Sequence, residues 1–547
     1  MRFSAHFVAL AIVLTPAALA ASDTARVVFQ QQGWDDTLRN LFYHTPQGSH
    51  MMPADIFAAL EQPGGGGRFG DPEYLANFGF IATDGPSELN PEGYPIGFAV
   101  QRDVNQVGLT CAACHTAEVE VNGERIRIDG APAYLDFDSF YQTLAGTVST
   151  TLVSPALFAR FAANFGATDP EAQEALQKRL AAFNIRLTAD AVVRRPALAS
   201  GFGRVDALTQ IVNALAVTDQ SAPQNLFPVA APTSYPPLWL TPDLEFVQWV
   251  PIAASPIVRN GGQVLGVFGH SNMQPDAGAD AFASSMLLLE LQELEEWLKD
   301  LKPPQWDETR MGPIDIELRD RGAEIFKANC AGCHNMAPYK RTDPAVNYFG
   351  ETFIEIGRTD FRKVGTDPTY VLNLLTRQVE TNATTAQIVG GEPVVSGPLF
   401  FGATVQANVG RAIQEAGLTT DEIFALNGMR YTKGLDNQPV PYAPQMPPSY
   451  LKASPLAGVW ATGPYLHNGS VPTIYELLSP VEDRRAVFWT GGRTLDLRRL
   501  GYDSGDALGR FRFDTSLAGN GNGGHEFPAN GLSHNDRMAV IEYLKSQ

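Results

Sequence analysis

All four cysteines of the chain fall into two copies of one spacing, Cys111-Ala112-Ala113-Cys114-His115 and Cys330-Ala331-Gly332-Cys333-His334. Cys-x-x-Cys-His is the attachment signature of c-type haem. Two thiols about a helical turn apart can reach the two vinyl groups of one porphyrin, and the adjacent histidine can turn its imidazole onto the iron. Two disulfides would also use four cysteines in an exported chain, but two full matches that absorb every cysteine favour haem. The spacing predicts two covalently bound haem c groups, with His115 and His334 as the proximal iron ligands.

What such a haem does depends on its sixth ligand. With two protein ligands it mainly passes electrons, and with an open position it can bind oxygen or peroxide. Between Thr116 and Gly269 the chain contains neither histidine nor methionine. A sixth ligand for the first haem would have to come from upstream (His44, His50, Met51, Met52), from His270 or beyond. His44 and His50 read as surface or core residues, so the first haem is expected to have an open or weakly occupied sixth position. For the second haem the choices are Met336, Met429, Met446, Met538, His467, His525 and His534. Met336 is too close in sequence to His334 to reach the opposite porphyrin face, and His534 would be solvated in the first turn of a helix. Glycines flank both His467 and His525 and permit close packing on a flat cofactor. A bis-histidine second haem is expected, with His525 ahead of His467 and Met446 as the best methionine.

These residues need elements to hold them. Segment 313–329 reads as an amphipathic helix with Pro313 at its first position, leading directly into Cys330. Segment 533–545 reads the same way, with Ser533 as N-cap, and the two would open and close a haem domain. The first motif lacks such a helix; after it, 119–128 alternates about Asn122-Gly123, a hairpin signal. Helical periodicity also marks 140–185, 187–216, 283–301, 368–379 and 403–415. Segment 235–249 reads as extended and aromatic-rich, and Gly64–Gly67 as a flexible loop with no Lys-Ser/Thr to make it a phosphate cradle. Pro303-Pro304 marks a break, which divides the chain into 21–305, an elaborated N-terminal haem domain, and 306–547, a C-terminal cytochrome c-like one. The expected fold is mainly α with extensive loops and a few short β hairpins.

The length of 547 residues allows two or three domains with an ample core. A formal charge of −19 without any Lys/Arg cluster argues against nucleic acid as partner. Residues 1–20 combine Arg2, a short apolar run and Ala18-Leu19-Ala20, the pattern of a signal peptide cleaved after Ala20. No later stretch approaches eighteen apolar residues, so a periplasmic or secreted protein without a membrane span is expected. The acidic surface suits a small redox protein or small-molecule electron partner.

The two haem sites, the block Pro464-Tyr465-Leu466-His467-Asn468-Gly469-Ser470 and the domain order resemble the bacterial dihaem cytochrome c peroxidase superfamily. More closely, Gln32-Gly33-Trp34, Phe42-Tyr43, Gln47-Gly48-Ser49, Ala59-Leu60-Glu61-Gln62, Ile128-Asp129-Gly130, Leu265-Gly266-Val267-Phe268-Gly269 and Gly524-His525-Glu526 resemble the rubber-oxygenase-like dihaem cytochromes over nearly the whole mature chain. The resemblance implies an N-terminal haem whose distal side is available for oxygen, and a C-terminal haem held by His334 and His525. It also implies an aromatic distal pocket, for which Trp239, Phe246 and Trp249 are the local candidates, with core packing as the alternative. The dihaem peroxidases carry a distal histidine soon after the first motif and a methionine shortly beyond the Pro-Tyr-x-His block. This chain has neither, which favours oxygenase-like over reductively activated peroxidase behaviour. The expected function is haem-dependent oxidoreduction of oxygen, peroxide or an apolar substrate, and the alternative is a purely electron-transferring dihaem cytochrome c.

Overall fold

The computed structural model describes residues 27–443, 448–506, 510–529 and 531–547. The expected signal peptide and Met446 lie outside them. Helix accounts for 41% of the structure and strand for 15%, the latter in sheets of two or three short strands, so helices and loops carry the architecture as expected. Among the described residues no helix is long and apolar enough to cross a membrane.

The first motif is approached through strands. Phe98–Gln101 and Gln106–Leu109 form a hairpin that ends at Thr110, and Cys111–Ala113 is a single 3-10 turn. The polypeptide leaves the turn in the expected hairpin, Thr116–Val121 paired with Glu124–Asp129, reversing at Asn122 and Gly123, which both take positive φ. Val27–Phe29 adds to it in parallel. Beyond it, Phe137–Val153, Pro155–Phe165 and Pro170–Val193 are helices, each opened by an aspartate or serine whose side chain accepts a backbone N–H. They close over an aromatic core that includes Phe57, Phe69, Phe80, Phe98 and Phe140.

The second motif is approached through a helix. Ile316–Asn329 leads to Cys330 and packs across the terminal helix His534–Lys545. A side chain at Gly322 would fall on the Ala539 carbonyl, so glycine is what lets the two backbones meet. Phe326 and Tyr543 pack beside the crossing as a tilted pair with ring centres 5.2 Å apart. Ser533 caps the terminal helix as expected. The other helix starts three residues later than Pro313 suggests, because the Asp315 carboxylate accepts the Leu318 N–H at 3.0 Å and makes Asp315 the cap.

Two other boundaries move for tertiary reasons. The helix expected over 283–301 is Leu288–Leu298, since Ser284 bridges to Ser271 and the Ser285 hydroxyl donates to the Gly48 carbonyl, which draws the preceding residues away. The helix Ala207–Asn213 runs into a π-helical turn at Ala214–Asp219. The largest core cluster runs from Trp34 to Leu544 and takes in residues from both sides of Pro303-Pro304.

Candidate functional site

None of the four cysteines forms a disulfide. Burial pushes the Cys111 thiol up to about 11, Cys114 to about 12 and Cys330 to about 11. A redox dithiol needs the opposite, a thiolate held by a depressed pKa, and burial works against one here. The Cys111 thiol lies 3.2 Å from Gln47 Oε1, and the Cys114 carbonyl accepts the Ala133 N–H at 3.0 Å.

The two motif histidines are oriented in the same way. His115 Nδ1 lies 2.9 Å from the Pro236 carbonyl oxygen, and His334 Nδ1 lies 2.8 Å from that of Ser454. A carbonyl can only accept, so each Nδ1 carries the proton and each Nε2 keeps its lone pair, the tautomer a metal requires. Burial keeps both rings neutral, His115 at about 4 and His334 below the ordinary histidine value.

His525 faces His334. Their ring centres are 6.1 Å apart. Imidazoles bonded to one metal from opposite sides, each nitrogen roughly 2 Å away, have ring centres about 6 Å apart, so this spacing fits an iron between them. Burial and the neighbouring His334 ring hold His525 at about 4, and its buried Nδ1 has no hydrogen-bond partner among the described residues. The loop is pinned by main-chain bonds: His525 N–H donates to the Val364 carbonyl, and Arg484 donates to the carbonyls of Asn522 and Gly524. His467 lies elsewhere, buried against Trp249 at 6.5 Å and Tyr370 at 6.2 Å.

No comparable imidazole partner stands opposite His115 among the described residues; the aromatic ring beside it is Tyr235, at 6.3 Å. His44 is buried, with Nδ1 2.8 Å from the Phe98 carbonyl and Nε2 facing Asn90. His50 Nε2 is bonded to Gln101 at 2.8 Å, and its ring pairs with His270. Met51 and Met52 are sealed in the aromatic core. Of the other candidates for the second haem, Met336 and Met538 pack at the edge of the main core, and His534 Nδ1 bonds the Tyr475 hydroxyl. The candidate aromatics do not converge. Trp239 donates to the Ala457 carbonyl, Trp249 donates to that of Ser234, and Phe246 stacks on Tyr442.

Segment 450–490 matches the family described as RoxA-like, cytochrome c-like. It contains Ser454, whose carbonyl orients His334, and the Pro464–Ser470 block. Over 95% of its length the chain is 32% identical to the uncharacterised protein y4iJ of Sinorhizobium fredii (strain NBRC 101917 / NGR234), of which it covers 93%. The chain belongs to the y4iJ family. A second uncharacterised protein of that organism, y4iM, is 24% identical over 56% of the chain and 58% of its own length. The cytochrome c-like segment implies covalent haem c and haem-dependent oxidoreduction for this y4iJ-family chain. Spacing alone does not reveal the Pro236 and Ser454 carbonyls, because a backbone acceptor has no residue signature.

Proposed function

We propose that the chain is an exported dihaem c-type cytochrome oxidoreductase. One haem would be carried by Cys111, Cys114 and His115 and the other by Cys330, Cys333, His334 and His525. The observation that carries this is the asymmetry between the motifs: His334 has a second imidazole 6.1 Å away, whereas the ring beside His115 belongs to Tyr235. A haem with an open position supplies a site for oxygen or peroxide, and a six-coordinate one supplies electron transfer.

The chain's own residues do the rest. Pro236 and Ser454 hold the protons on Nδ1 of His115 and His334, which fixes both rings and keeps each Nε2 available. The Val364 carbonyl and Arg484 fix the His525 loop from the other side. Cleavage after Ala20 and export to the periplasm belong to the same reading, since haem c is attached outside the cytoplasm.

Mass spectrometry of the mature protein tests the count, with two covalent haems expected. Electron paramagnetic resonance is expected to show one low-spin and one high-spin or oxygen-responsive haem. Two low-spin haems unresponsive to oxygen and peroxide would make the chain an electron-transfer cytochrome instead. Peroxide turnover with a reduced cytochrome, set against oxygen uptake on an unsaturated hydrocarbon, then separates peroxidase from oxygenase.

A further inference from the structure

Three of the short blocks that carry the family resemblance meet at one buried carboxylate. From Phe42-Tyr43, the Tyr43 phenol donates to Asp129 Oδ1, in Ile128-Asp129-Gly130. From Gln32-Gly33-Trp34, the Gln32 amide donates to the Asp129 carbonyl and accepts the Asp129 N–H, each at 2.9 Å. Arg39, on the helix Asp36–His44 with Tyr43, donates through Nε to Asp129 Oδ2 at 2.8 Å. Gln32, Arg39, Tyr43 and Asp129 are all buried. The phenol therefore faces a base that is closed off from solvent, and burial, with the Asp129 charge behind it, pushes Tyr43 well above the ordinary tyrosine value.

Two hydrogen-bonded connections tie this pair to the first motif. The Tyr43 carbonyl accepts the Thr110 hydroxyl at 3.0 Å, and Thr110 immediately precedes Cys111. The Gly130 carbonyl, next to Asp129, accepts the Leu238 N–H at 2.8 Å, two residues beyond the Pro236 carbonyl that orients His115. Other tyrosines combine only part of this. Tyr235 lies beside His115, but its hydroxyl is 3.3 Å from the Leu135 and Arg204 carbonyls, which are not bases. Tyr141 and Tyr442 donate to the Asp190 and Glu245 carboxylates at 2.6 and 2.7 Å, but among the described residues neither is bonded to a residue flanking a motif.

We propose that Tyr43, with Asp129 as its proton acceptor, is a one-electron donor to the site formed by Cys111, Cys114 and His115. This rests on the dihaem reading above. The co-reactant is hydrogen peroxide, which takes up two electrons and two solvent protons and leaves as two waters. One electron comes from Tyr43 and the other from the haem carried by Cys330 and Cys333. The phenol's own proton moves along the existing hydrogen bond to Asp129, leaving a neutral tyrosyl radical beside a neutral carboxylic acid. An oxidised phenol is a strong acid, so even a carboxylate paired with Arg39 accepts its proton.

The test is electron paramagnetic resonance of holoprotein mixed with hydrogen peroxide and rapidly frozen, a readout that a purely structural hydrogen bond does not move. Wild-type protein should give an organic radical whose hyperfine pattern narrows when the protein is grown on ring-deuterated tyrosine. Tyr43→Phe, which keeps the ring and loses the hydroxyl, should abolish that signal in a variant whose Soret absorbance matches wild type. Asp129→Asn leaves an acceptor for the phenol but no base for its proton, and should abolish the signal as well; if that variant does not fold, Tyr43→Phe decides the donor by itself. A radical that survives Tyr43→Phe, or no radical in wild-type protein whose haem absorbance responds to peroxide, overturns the proposal. A radical at full yield in Asp129→Asn overturns the part assigned to Asp129. Wild-type haem absorbance that does not respond to peroxide would instead overturn the open position on the first haem, and this donor with it.

Discussion

A histidine that ligates a metal and one that fills a core differ in what their two nitrogens do. His44 spends both, on the Phe98 carbonyl and Asn90. His115 and His334 spend only Nδ1, on carbonyls, and His525 turns its ring toward His334. This sorts candidates that sequence leaves level: His467 and His525 both sit among glycines, but the partner rings of His467 are Trp249 and Tyr370. On the dihaem proposal, His525→Ala is therefore expected to convert the haem carried by Cys330 and Cys333 from low to high spin, and His467→Ala to leave it low-spin, read by electron paramagnetic resonance. The reverse result would move the ligand to His467. The motifs themselves are legible at this scale because all four cysteines fall at one fixed spacing.

At the scale of elements, what reads well is what is decided locally. The Asn122-Gly123 hairpin and the Ser533 cap follow from short-range backbone chemistry and stand where the sequence puts them. What reads poorly is set by distant partners, such as the parallel addition of Val27–Phe29 to Glu124–Asp129 or the shortening of the helix that begins at Leu288. The crossing of Ile316–Asn329 with His534–Lys545 joins the two regimes: both helices are periodic in sequence, but their contact depends on one missing side chain, at Gly322. Even a methyl group there meets the rigid carbonyl of Ala539, so the helices must separate. Gly322→Ala is expected to cost about 1–3 kcal/mol, the usual range for overpacking, although alanine is the better helix former. Chemical denaturation of the holoprotein checks it; a stabilised variant would mean that propensity outweighs the crossing.

At the scale of the whole molecule, the stretches on either side of Pro303-Pro304 share side chains across the break. Trp460 donates to the Pro304 carbonyl, and Trp239 to that of Ala457. Buried Glu118, in the first hairpin, pairs with Arg127 of its own sheet and with Arg493 from the far end of the chain at 3.0 Å. Buried Arg204 donates to Ser200 in one half and to Asn468 and Asn520 in the other, with its guanidinium over Phe513. Opening the halves would strand these polar groups in apolar surroundings, at about 1–3 kcal/mol for each unsatisfied buried partner and more for the charged ones. It would also expose the cluster that runs from Trp34 to Leu544. Separation of the halves therefore costs a large part of what global unfolding costs, and no half-unfolded state should accumulate. The holoprotein is expected to melt in one calorimetric transition, with equal van't Hoff and calorimetric enthalpies and with its Soret absorbance lost in the same step. Two resolved transitions would show that each half is stable alone.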